Sequence, residues 1–168
     1  MPEVVFDCCV ISNFALSESL SVLQSMYSGT AYVTNFVSAE ISRGMQGGHG
    51  ELALVKEALQ AGWLKEIAIE TKEEKAFLET LSVSLGFGEA SSIAVAKARG
   101  YLFASDDKVA RREANLLGVT FTGTIGILAK AVKKKITDIS TADVYLKKMI
   151  KRGFYSPITS ICEINSSQ

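Results

Sequence analysis

Short apolar runs alternate along the chain with longer stretches of helical period. Runs rich in β-branched and aromatic residues fall at 4–6, 31–33, 101–104 and 119–121, with a weaker one at 67–69. Between them, apolar residues recur every three or four positions. Thr71 with Glu74 makes a capping box, after which Phe77, Leu78 and Leu81 share one face. Asp106 or Asp107 caps a helix carrying Ala110, Ala114 and Leu117, and Gly118 ends it. Ile125, Leu128, Ala129 and Val132 form a stripe that opens after Thr124. Ser140 is predicted to cap a last helix with Ala142, Tyr145, Leu146, Met149 and Ile150 on its inner face. Short strands separated by helices pair in parallel through right-handed crossovers. The predicted class is therefore α/β, a three-layer α/β/α sandwich around a central parallel sheet of about five strands. Residues 1–168 read as a single domain, with the last helix and tail, about 140–168, as an appendage. In such sheets, sites form at the carboxyl ends of the strands.

Composition narrows the class of protein. Of 168 residues, 48% are apolar and 21% charged, the make-up of a folded domain and not of a disordered or collagen-like chain. Lys plus Arg number 18 and Asp plus Glu number 18, so the net charge is zero. That balance excludes a histone-like protein that holds nucleic acid by bulk charge. Cys8, Cys9 and Cys162 are too few for a disulfide scaffold and read as reduced thiols. No apolar stretch approaches the ~20 residues that span a bilayer. The expectation is a soluble cytoplasmic domain with no membrane partner.

Several familiar chemistries fail on their motifs. Neither the glycine-rich stretch 44–50 nor 123–128 supplies the lysine of a phosphate-binding P-loop. Gly86, Gly88 and Ser91 lack the last glycine of a dinucleotide fingerprint, and Glu89 would face the pyrophosphate. Phe14 and Ala15 stand where a cysteine phosphatase needs its arginine. His49 is the only histidine, and no Cys/His cluster has zinc spacing. Carboxylates remain. Asp7 ends the first strand, Glu40 lies early in the helix after the second, Glu89 opens a small-residue helix, and Asp106-Asp107 follow the strand at 101–104. Singly, each reads as a helix cap or a first-turn acid worth about 1 kcal/mol or less. In a parallel sheet they converge on one edge, where they repel one another until a hard, oxygen-seeking divalent cation relieves them.

With those residues in place, the chain resembles PIN domains, the fold of many metal-dependent ribonucleases, including the VapC-type toxins of prokaryotic toxin–antitoxin pairs. The pattern runs through Val4-Val5-Phe6-Asp7, then Glu40 in Phe36-Val37-Ser38-Ala39-Glu40-Ile41, then Glu89 in Gly88-Glu89-Ala90-Ser91, then Ser105-Asp106-Asp107. The C-terminal half, with Arg111, Gly123-Thr124-Ile125-Gly126-Ile127-Leu128 and Gly153-Phe154, looks like a PIN-related prokaryotic subfamily. In the commoner toxin pattern the third acid is Asp, whereas here it is Glu89, one methylene longer. The doublet offers two fourth acids, and the Ser/Thr-x-Asp alignment favours Asp107. The resemblance implies a Mg²⁺ or Mn²⁺ site and RNA as substrate. It also implies a homodimer and a small antitoxin protein as partner.

The first expectation is thus a Mg/Mn-dependent endoribonuclease with Asp7, Glu40, Glu89 and Asp107 as catalytic acids. Asp7, Glu89 and Asp107 would be the metal ligands, and Arg111 and Ser105 would contact the substrate. The second is a catalytically weak PIN-fold module that binds RNA or protein. An aspartyl-phosphate phosphohydrolase fares worse, because Cys9 occupies the place of its second Asp. Cys8 and Cys9 read as packing residues. Trp63 and the apolar stripe at 52–59 read as core or a dimer face, and the lysines near 133–135 and 147–151 as solvated helix ends. The zero net charge divides unevenly. Residues 1–104 hold 12 acidic and 7 basic side chains, and residues 105–168 hold 6 acidic and 11 basic.

Overall fold

The computed structural model describes residues 2–165. In chain order it runs β1 (Val4–Phe6), α1 (Cys8–Leu16), α2 (Leu20–Tyr27), β2 (Ala31–Thr34), α3 (Asn35–Gln46) and a 3-10 turn (Gly50–Leu52). Next come α4 (Ala53–Gln60), β3 (Leu64–Ile67), α5 (Lys72–Leu81), α6 (Phe87–Arg99), β4 (Leu102–Ala104) and α7 (Lys108–Leu116). The chain closes with β5 (Phe121–Thr122), α8 (Thr124–Lys133), α9 (Ile139–Lys151) and α10 (Cys162–Asn165). All five strands are parallel in the order β3-β2-β1-β4-β5. The predicted α/β/α sandwich is the fold observed.

Alternate residues of a strand face opposite sides of a sheet, and here both sides are covered. Val4 and Phe6 join Val33, Ala104 and the apolar faces of α1 to α4, α8 and α9. Val5 and Phe103 join the faces of α5, α6 and α7. Burial on both faces explains why β1 reads as an unbroken apolar run. Ala142, Leu146 and Met149 of α9 belong to the first of these cores, and so do Trp63, Leu52, Val55 and Ala58. The stripe at 52–59 is therefore core.

Three elements differ from the sequence expectation by two residues or more. The third strand is Leu64–Ile67, not 67–69, because Leu64 pairs with Ala31 and Ile67 with Thr34. Beyond it, the backbone is claimed by side chains: Arg99 donates to the Ala68 carbonyl (3.2 Å) and the Glu70 N–H donates to Glu74 (2.7 Å). The last strand starts at Phe121, not Val119, because the Val119 N–H turns back to the Ala114 carbonyl at the end of α7 (2.9 Å). Helix α9, expected as the last helix, is capped by Asp138, whose Oδ1 accepts the Thr141 N–H (2.7 Å), leaving Ser140 inside it, and the short α10 follows it. The Thr71–Glu74 capping box forms as read. Among the described residues, no helix is long and apolar enough to cross a membrane.

Candidate active site

The strand order reverses between β1 and β4, and in open parallel sheets the crevice beyond such a reversal collects ligands. Asp7 and Ser105 leave these two strands side by side, with the Asp7 N–H donating to the Ala104 carbonyl (2.9 Å). Asp7 caps α1 through Oδ1, which accepts the Cys8 N–H (2.7 Å). Its Oδ2 accepts the Ser105 hydroxyl (2.8 Å) and the Cys9 thiol (3.3 Å). The side chain is buried, and burial pushes its carboxyl above the usual carboxylate range despite those donors.

Ser105 and Cys9 each tie Asp7 to one member of the acidic doublet. The Ser105 hydroxyl accepts the Asp107 N–H (3.1 Å), and the Cys9 sulfur accepts the Asp106 N–H (3.3 Å). Burial pushes the Cys8 thiol up to about 11 and raises that of Cys9 as well. Both are protonated near neutrality, so neither is a ready nucleophile. Ser105, which the sequence assigns to the substrate, is fully buried beneath the acids it joins.

The two aspartates of the doublet part company. Both line an adjoining cavity, but Asp107 caps α7, with Oδ1 accepting the Ala110 N–H (2.8 Å). Asp106 fastens the turn between β5 and α8. Its Oδ1 accepts the Thr124 N–H (2.8 Å), and its Oδ2 accepts the Asn13 amide (3.1 Å) and the Thr124 hydroxyl. Gly123 permits this approach, since a Cβ there would stand 2.6 Å from Asp106 Oδ1. The Gly123-Thr124-Ile125-Gly126 segment is thereby bound to the strand that carries the doublet.

Glu40 and Glu89 come from α3 and α6, which are stitched together where the Thr34 hydroxyl, the cap of α3, meets the Ser91 hydroxyl (2.8 Å). Glu40 lies against Gly88, close enough that a Cβ on Gly88 would fall 2.5 Å from its Oε1. Glu89 folds back to accept the Gly86 N–H (3.1 Å). Its carboxyl is pushed up first by burial, then by the negative charges of Asp7, Asp107 and Glu40. The four acids expected from the sequence thus share one electrostatic neighbourhood. Among the described residues, no three acidic, histidine or cysteine side chains close into a ready metal cage.

Beside the acids opens a cavity of about 870 Å³. Its lining includes Glu89, Asp107, Lys108, Arg111, Phe121 and Tyr155. The Arg111 guanidinium lies 4.8 Å from the centre of the Phe121 ring, and its Nε is buried with no hydrogen-bond partner. Arg112 points elsewhere, toward Glu113 (3.4 Å). The sequence pattern picks out neither Asn13 nor Tyr155. A signal for Asn13 existed, because it follows Cys9 by one helical turn and shares its face of α1.

A family model described as a PIN domain matches residues 3–167. The chain belongs to the PIN domain family, whose members are generally nucleases and generally use divalent metal ions. No curated protein matches it.

Proposed function

We propose that the protein is a metal-dependent endoribonuclease that hydrolyses RNA phosphodiester bonds with water as the nucleophile. The observation that carries this reading is the gathering of the acids at the sheet's switch point: Ser105 bridges Asp7 and Asp107, Glu40 lies against Gly88, and the negative charges of Asp7, Asp107 and Glu40 bear on Glu89. The donor set fits the metal: every candidate ligand is a carboxylate oxygen, as Mg²⁺ and Mn²⁺ prefer. A closed cage is not required, because Mg²⁺ keeps several waters and takes one or two carboxylates plus substrate phosphates. Asp7, Glu89 and Asp107 would hold the ion directly or through water. When bound, it would lower the pKa of a water and offset charge building on the phosphodiester. Glu40 would orient the attacking water. Ser105 would keep Asp7 and Asp107 in register, and Arg111 would hold a phosphate of the strand. The toxin role, the antitoxin partner and the homodimer implied by the resemblance belong to the same proposal.

The test is cleavage of RNA with Mg²⁺ or Mn²⁺ by the wild type, Asp7→Asn and Asp107→Asn. Losses of about a hundredfold or more are expected from each variant, in the range for a positioned catalytic acid or base. Wild-type rates in both would show the assignment to be wrong. One observation favours a second reading, a PIN-fold module that binds RNA without turnover: the Glu89 carboxylate is tied back to Gly86. Tight RNA binding without cleavage across several divalent metals would decide for that reading.

A further inference from the structure

The cavity beside the acids has a wall that the hydrolytic roles leave unused. Residues 153–157 follow α9, where Gly153 takes φ +107 and the Phe154 N–H donates back to the Met149 carbonyl (3.0 Å). Further on, the Ser156 hydroxyl donates to the Ile158 carbonyl (2.6 Å) and accepts the Ile158 N–H (3.2 Å). Asp143 accepts the Ser160 hydroxyl (2.7 Å) and the Ile161 N–H (2.8 Å). The segment is thus pinned on both sides of Tyr155, yet Tyr155 is 87% exposed. A ring so exposed adds nothing to the core, and on a fastened loop little freedom remains to be lost when it meets a ligand.

Arg111 lines the same cavity. It lies over the Phe121 ring, its Nε is buried without a partner, and no carboxylate among the described residues pairs with it. The nearby Asp106 is occupied by Thr124 and Asn13. A guanidinium seated on an aromatic ring and bound to no carboxylate is a receptor for a planar or tetrahedral anion. Arg152, also in the lining, is already bound through both Nη atoms to Glu51 (2.8 and 3.1 Å). Aromatic faces beside unpaired cationic groups are what proteins use to hold single strands by base and backbone together. A docking face for protein would instead show a contiguous apolar patch.

We propose that this cavity is a nucleotide subsite, in which Arg111 takes a phosphate of the RNA and Tyr155 stacks the attached base. The nucleotide held there flanks the bond presented to Glu89 and Asp107, which line the same cavity. The assignment rests on the ribonuclease reading for the identity of the polymer. Tyr155 then sets how firmly the strand is placed and which bases are favoured beside the cleaved bond.

The experiment titrates the full chain, in EDTA so that no cleavage intervenes, with a labelled single-stranded RNA and with an abasic strand of equal length. The wild type binds the RNA more tightly than the abasic strand. Tyr155→Ala loses that preference and weakens RNA binding about 5- to 150-fold, the range for one stacked base, while Tyr155→Phe keeps it. Arg111→Gln weakens both strands and reduces the salt slope by about 0.7. An unchanged melting temperature verifies that Tyr155→Ala is folded. Wild-type RNA binding by Tyr155→Ala overturns the subsite, as does a wild type that does not prefer RNA to the abasic strand. An effect that tracks a change in sedimentation would make Tyr155 a protein contact and overturn it too. If base-dependent binding stands but the wild type cleaves no RNA with Mg²⁺ or Mn²⁺, the ribonuclease reading falls and the subsite remains.

Discussion

Replacing Gly88 by alanine separates the position of one site acid from the stability of the fold. Gly88 is the second residue of α6, and a Cβ there would stand 2.5, 2.7 and 2.8 Å from the Oε1, Oε2 and Cδ atoms of Glu40. Ordinary contact begins near 3.4 Å, so the carboxyl has to retreat by about 0.9 Å. The helices cannot part to make room. The Gly88 carbonyl accepts the Ser91 and Ser92 hydroxyls (3.0 and 2.7 Å), and Ser91 is bound to the cap of α3. The flexible end of Glu40 gives way instead, at little energetic cost, while alanine recovers up to ~1 kcal/mol of helix propensity. A displacement near 1 Å in a reacting constellation can lower a rate by about a hundredfold. Gly88→Ala is therefore expected to melt at or slightly above the wild-type temperature and to cleave RNA about a hundredfold more slowly. On a Glu40→Ala background the same change should cost nothing further, since the methyl has no carboxyl to displace. Calorimetric melting and single-turnover cleavage with Mn²⁺ measure the two halves. Wild-type cleavage by Gly88→Ala, or a large further loss in the double variant, would refute the reasoning.

Three other variants probe groups whose environments the structure defines. Burial opposes ionisation of Glu74, but Arg99 (2.6 Å) and the N–H groups of Glu70 and Thr71 outweigh it and hold the carboxyl at about 2 instead of 4.5. Such a depressed value contributes about 3 kcal/mol of stability above pH 4.5, which fades as the pH falls toward 2. In urea titrations Glu74→Gln should trail the wild type by about that amount at pH 7 and by much less at pH 3; equal midpoints at pH 7 would sink the prediction. For the acidic doublet, Asp106→Asn turns an amide N–H₂ toward the donors of Thr124 and Asn13 and should cost about 1–3 kcal/mol. Asp107→Asn keeps a competent cap and should change stability by under about 0.5 kcal/mol. Paired melting curves compare them, and a greater loss from Asp107→Asn would reverse the roles assigned here.

What the sequence makes legible follows from the range of the interaction concerned. β1 is visible because both of its faces are buried, so no polar residue interrupts it. β3 is an edge strand with exposed Lys65 and Glu66, and its limits come from pairing with β2, which no local pattern encodes. The Thr71–Glu74 box is local and reads directly. The same Glu74 is also fully buried against Arg99 of another helix, and nothing near it in sequence says so. The four acids could be found because the rule for parallel sheets puts sites after strands. The means of holding them could not. Cys9 and Ser105 link Asp7 to the doublet, Asn13 reaches Asp106, and Gly88 makes room for Glu40, all across long stretches of chain that carry no period.

The division of charge along the chain acquires a physical meaning at the seam between β1 and β4. Asp7, Glu40 and Glu89 come from the acidic stretch before residue 105, while Lys108, Arg111 and Arg152 come from the basic stretch after it. Pairing β1 with β4 brings the two stretches to one crevice. A neutral chain has no long-range field to gather a polyanion, so any hold on RNA has to be generated within contact distance. An acidic pocket alone would repel the strand. The unpaired guanidinium of Arg111 on Phe121 answers that repulsion where it is felt, beside Glu89 and Asp107 and not over the whole surface. Affinity and chemistry then rest on neighbouring but distinct groups, and this separation is what allows substitutions at Tyr155 and at Asp7 to be read independently.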